Sequence, residues 1–190
     1  MQGMAFVEDG LTRIVLQRII DDCKMNFQIV VKHGAGNIKS NISAYNKSAK
    51  SLPIIVLRDQ DTIECAPLAV EEWLPKKIQN RRMLFHVIEH EIESWVMADR
   101  EMLAKWLNCK LNDVPINPDQ IIDPKQKIFS LVRHSPRKRL HAAILPHGTA
   151  KQGPEYNATL GQFVLKHWRL KTAVVNSRNL ERFIAKLGCR

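Results

Sequence analysis

Cysteine is scarce and scattered: Cys23, Cys65, Cys109 and Cys189 stand far apart, with no Cys-x-x-Cys spacing among them. That argues against a zinc site and for a reduced, cytoplasmic protein. No apolar stretch approaches the roughly 20 residues that cross a bilayer, and no signal peptide opens the chain, so no membrane partner is expected. A GxxxxGK[ST] loop for nucleotide phosphates is missing. So are a zinc finger, an RNP-like aromatic motif and a helix-turn-helix, which leaves base-specific reading of a nucleic acid without a visible source. There is no internal repeat and no low-complexity segment.

What the chain does have is length and apolar content enough for a full core, with 190 residues of which 45% are hydrophobic. One domain with an appendage is the natural reading: a core over residues 1–107 and a basic extension over 108–190, packed as one unit. The net charge of +10 is divided unevenly. Residues 1–124 carry 15 lysines and arginines against 17 acids, whereas residues 125–190 carry 14 against 2. From Lys125 to Pro154 there are seven basic residues and no acid. A carboxylate-bearing half joined to a cationic half suits a metal site served by a surface for a polyanion; the plainer alternative is a solvated basic face.

Hydrophobic periodicity alternates between strand and helix. Met4 to Val7 reads as a strand, and Leu11, Ile14, Val15, Ile19 and Cys23 recur at helical spacing. Phe27 to Val31 reads as a second strand, followed by a weak polar helix up to Ser51. Pro53 to Arg58 is a third strand and Met83 to Ile88 a fourth. The fourth leads into one helix with Ile92, Trp95, Val96, Met102, Leu103 and Trp106 on its inner face. This order predicts an α/β fold with a mainly parallel four-stranded sheet flanked by helices. Residues 108–126, with three prolines, read as an extended connection, and Ser135 to Pro154 as a second irregular stretch. Order returns with Ser177 as N-cap, a stripe of Leu180, Phe183, Ile184 and Leu187, and Gly188 as terminator.

The third strand ends in Asp59-Gln60-Asp61. Residues at i and i+2 of a strand point the same way, so both carboxylates leave the strand end together. Ligands of open α/β sheets gather at the carboxyl ends of strands, where Glu8 also sits. Glu8, Asp59 and Asp61 together suit a hard cation, magnesium or manganese, engaged in phosphodiester chemistry. Asp59 and Asp61 also fit a helix-capping role, and Asp9 and Gly10 read as turn residues. His86 and His90 read as hydrogen-bonded structure. The run Arg133, Arg137, Lys138 and Arg139, with Lys151, suits contact with nucleic-acid phosphates.

These residues resemble the Toprim family, in which a glutamate ends the first strand and an Asp-x-Asp pair ends the third. The segment from Glu91 to Asp99, followed by Asp123-Pro124-Lys125, is similar to small bacterial Toprim-like proteins encoded beside ABC- or SMC-like ATPases. The resemblance implies a Rossmann-like Toprim core and a magnesium-dependent nuclease in defence or DNA processing. Glu8, Asp59 and Asp61 would act as ligands, Glu91 and Glu93 at a second ion, and Lys125 beside the phosphate. It favours DNA over RNA as substrate and an AAA ATPase as partner, and leaves oligomerisation open. A competing expectation is a catalytically silent, partner-gated nucleic-acid-binding subunit; helix-dipole stabilisation remains the alternative role for Glu91 and Glu93.

Overall fold

The computed structural model describes residues 2–60, 66–75 and 77–189. The chain divides into two compact units, one formed by Met1–Glu89 with Arg182–Arg190 and the other by His90–Glu181.

The first unit is an α/β sheet domain. Its strands are β1 (Gly3–Val7), β2 (Phe27–Val31), β3 (Ile54–Asp59) and β4 (Met83–Ile88), all parallel in the order β2-β1-β3-β4. Helices α1 (Gly10–Asp22), α2 (Ala35–Ser48) and α3 (Ala66–Trp73) make the crossovers. Ala5, Phe6 and Val7 in succession are buried, as are Ile54 to Leu57, so both sheet faces are covered. On one face Phe6, Val56, Phe85 and Val87 form a core with Ile38, Ile42 and Tyr45 of α2. On the other, the ring of His86 lies 5.2 Å from that of Phe183, in the last helix, α10 (Arg178–Leu187). A Cβ on Gly3 would meet the Phe27 ring at 2.3 Å, so only glycine lets that ring lie against β1.

Cys23 and Cys189 are joined in a disulfide, with Cα atoms 5.5 Å apart. The expectation of four reduced, separate thiols fails here for a physical reason. The fold brings the ends of α1 and α10 together across 166 residues of sequence, a proximity that spacing does not encode. Cys109 is a free thiol, and Cys65 lies outside the described residues.

The second unit is helical: α4 (Glu93–Ala98), α5 (Arg100–Leu107), α6 (Pro124–His134), α7 (Lys138–Ile144), α8 (Tyr156–Lys166) and α9 (Leu170–Asn176). The single helix expected after β4 is broken at Asp99, whose ψ of 70° leaves helical space. The fully buried Asp99 carboxylate is gripped by Arg169, with Nη2 at 2.7 Å from Oδ1 and Nε at 3.0 Å from Oδ2. Residues 108–123 hold two 3-10 turns. Helix α6 begins inside the stretch expected to be extended: Asp123 caps Gln126 N–H at 2.9 Å and Pro124 fills the first turn. The stretch from Ser135 contains α7 because Leu140, Ala143 and Ile144 give it a buried side. Ser177 caps α10 as anticipated, its Oγ accepting from Leu180 N–H at 3.1 Å. Gly188 follows at φ +72°.

Candidate active site

The strand order positions the first group of carboxylates. From β1 the chain crosses to β2 on one side, then returns to β3 on the other, so the topological switch falls between β1 and β3. Glu8 follows the last residue of β1, and Asp59 is the last residue of β3. Both stand at the carboxyl edge beside the switch, where open α/β sheets collect ligands. Asp9 is the N-cap of α1, its Oδ1 accepting from Thr12 N–H at 2.8 Å. Asp61 lies outside the described residues.

A cation that sequence reading passed over sits in this group. Arg58, only 2% exposed, places Nε 3.6 Å from Glu8 Oε1. Its guanidinium also donates to the Asp59 and Gln60 carbonyls and lies 4.5 Å from the centre of the Trp73 ring. A buried guanidinium needs such partners, because desolvating a lone charge costs several kcal/mol. The only sequence signal was a cation inside an apolar strand, next to an acid. Glu8 and Asp59 are oxygen donors of the type that suits magnesium. The Arg58 guanidinium lies against the Glu8 carboxylate and offsets part of its charge.

The second unit brings together Glu91, Glu93 and Lys125. Glu91 Oε2 accepts from the backbone N–H of Lys125 at 2.9 Å, near the start of α6. Glu93 is buried; its Oε1 accepts from the Tyr156 hydroxyl at 2.6 Å and lies 3.7 Å from Lys125 Nζ. Lys125 Nζ is also 5.5 Å from the Tyr156 ring centre. Burial pushes the Glu93 carboxyl up to about 7, against the pull of Lys125 and the Tyr156 hydroxyl. Tyr156 had no recognisable signal in the sequence, since nothing in its flanking residues points back to Glu93.

The basic residues are placed on the surface of the same unit. Arg133 ends α6, Arg137, Lys138 and Arg139 open α7, Lys151 lies in the following loop, and all five are exposed. His86 is buried against Phe183, in keeping with a structural histidine.

Among the described residues, no three of His, Cys, Asp and Glu cluster as a metal site, and no helix is long and apolar enough to cross a membrane. No family model, curated protein or solved structure matches the chain.

Proposed function

We propose that the protein is a magnesium-dependent nuclease of the Toprim type, hydrolysing phosphodiester bonds in nucleic acid. The observation that carries this reading is the pair of carboxylates, Glu8 and Asp59, flanking the topological switch of a parallel sheet. Asp59 and Asp61 serve as metal ligands, and Glu8 as a ligand or as the base that orients water. Bound magnesium would supply Lewis-acid polarisation of the phosphate and a more acidic water. Arg58, with Nε 3.6 Å from Glu8 Oε1, helps to fix that carboxylate in place. The carboxylates of Glu91 and Glu93 are engaged by Lys125 and Tyr156, so the reading takes one ion. The exposed Arg133, Arg137, Lys138, Arg139 and Lys151 form the polyanion surface.

A second reading is a nucleic-acid-binding subunit that stays silent until an ATPase partner acts on it. It is favoured by the Arg58–Glu8 ion pair, which a metal has to share or displace. The test is cleavage of supercoiled DNA, linear DNA and RNA with magnesium or manganese by wild type, Asp59→Asn and Glu8→Gln, with magnesium affinity measured by calorimetry. The nuclease reading expects cleavage by wild type and a loss of at least about a hundredfold in each variant. Magnesium binding to wild type without cleavage supports the gated subunit. Equal cleavage by all three proteins overturns both assignments of the site.

A further inference from the structure

A second concave site lies at the opposite edge of the sheet, at the amino ends of β2, β3 and β4. It is a cleft of about 670 Å³, within the ~300–1,000 Å³ range of small-molecule sites. Its apolar lining includes Phe27, Ile55, Met83 and Leu84. Its charged lining residues are Lys24, Arg81, Arg82 and Lys186, with no acidic side chain among the described residues around it. For Lys24, Arg81 and Arg82 that bias is not inherited from local composition, because residues 1–124 carry more acids than bases. The four cations come from three separate chain segments, which folding alone brings together.

Three further features shape this cleft. Lys24 occupies left-handed space at φ +54°. It closes α1 in a Schellman arrangement, with Lys24 N–H bonded to Asp21 O at 3.0 Å and Met25 N–H to Ile20 O at 2.9 Å. Glycine is the usual residue there, so a lysine is held in a strained conformation at the rim. The Cys23–Cys189 disulfide stands next to Lys24 and close in sequence to Lys186, tying two walls together. Phe27, half-buried, lies over Gly3, which has no side chain to displace its ring, and lines the cleft.

We infer that this cleft binds a free nucleotide carrying two or more phosphates, with the base over Phe27 and the phosphates among Lys24, Arg81, Arg82 and Lys186. Lys24, Arg81 and Arg82, converging on a lining with no carboxylate among the described residues, select a polyanion, and an aromatic ring beside them selects one with a planar body. The volume suits a mononucleotide rather than a duplex. The inference is independent of phosphodiester hydrolysis at the other edge of the sheet.

Calorimetry in EDTA at low salt, with ATP, ADP, AMP, adenosine and pyrophosphate as probes, tests it. Expected is saturable one-to-one binding of ADP and ATP, at least about tenfold tighter than AMP or adenosine. Lys24→Gly keeps the backbone conformation while removing the charge. It should weaken ADP about tenfold without lowering the melting temperature, as should the Arg81→Ala/Arg82→Ala pair. Phe27→Leu should reduce the preference for ADP over pyrophosphate, and Asp59→Asn should bind ADP as wild type does. No saturable binding, or binding unchanged by Lys24→Gly and by the arginine pair, overturns the inference. So does a single-stranded oligonucleotide that uses these residues and outcompetes ADP.

Discussion

The Tyr156 hydroxyl donates a 2.6 Å hydrogen bond to Oε1 of Glu93, which is otherwise enclosed in the helical unit. A carboxyl raised from 4.5 to about 7 by burial holds its proton in the folded state over a range where the unfolded chain has lost it. Its contribution is therefore fully present below about pH 4.5 and is lost as pH rises through 7. The loss amounts to about 3 kcal/mol. Glu93→Gln should remove most of this dependence. Urea midpoints at pH 5 and pH 8 check it, and a wild type that strengthens relative to the variant on going to pH 8 contradicts the assignment.

The Arg58–Glu8 pair predicts an asymmetric response. Glu8→Ala removes a carboxylate from beside the buried guanidinium and should cost about 3 kcal/mol. Arg58→Met combined with Glu8→Ala, which removes both charges, should cost less than the sum of the Arg58→Met and Glu8→Ala changes made singly. Denaturant unfolding of the four proteins measures the coupling. Strict additivity would show that the two side chains do not interact.

Asp119 joins the second 3-10 turn to the start of α10, accepting from Ser177 Oγ at 2.7 Å and from Asn179 N–H at 2.9 Å. Ser177 and Asn179 are buried. Asp119→Ala should therefore cost about 2 kcal/mol, since two buried donors lose their acceptor. Asp119→Asn should cost less. Equal stability of Asp119→Ala and wild type would mean that water replaces the carboxylate there.

Reduction of Cys23–Cys189 opens a loop spanning 166 residues of sequence separation. On a chain-entropy account this destabilises the protein by about 5 kcal/mol. Unfolding with and without reductant measures it. Alkylation of the denatured protein should gain two thiols on reduction. The Cys109 thiol, pushed up by burial and by Asp113, should label slowly in the native state.

Replacing Arg137, Lys138 and Arg139 together by alanine should lower the slope of log affinity against log salt by up to about 3 on nucleic acid. Binding should weaken by a similar factor on all sequences. A slope equal to that of wild type removes α7 from the interface.

Local features were legible in the sequence where a few neighbouring residues determine them. The apolar run before Asp59 gave β3, Ser177 with its stripe gave α10, and the alternation of elements gave a parallel sheet. Helices α6 to α9 were not anticipated: the Asp123-Pro124 start signal of α6 was passed over, and α7 has only three buried positions. What sequence order hides is contact between distant positions. Arg58 finds Glu8 fifty residues upstream, Tyr156 finds Glu93 across 63 residues, and Asp99 leaves the helix to hold Arg169. At each of these places a buried charge or acid overrides local propensity, and its partner is named only by the fold.

The sheet unit is discontinuous in the chain, since Met1–Glu89 is completed by Arg182–Arg190. During synthesis, all four strands have therefore left the ribosome before the residues that cover His86 exist. The nascent sheet must wait, with one face incomplete, while nearly a hundred residues of the other unit are made. A chaperone that shields this face, or slow synthesis of residues 182–190, would act on yield rather than on the finished protein's stability.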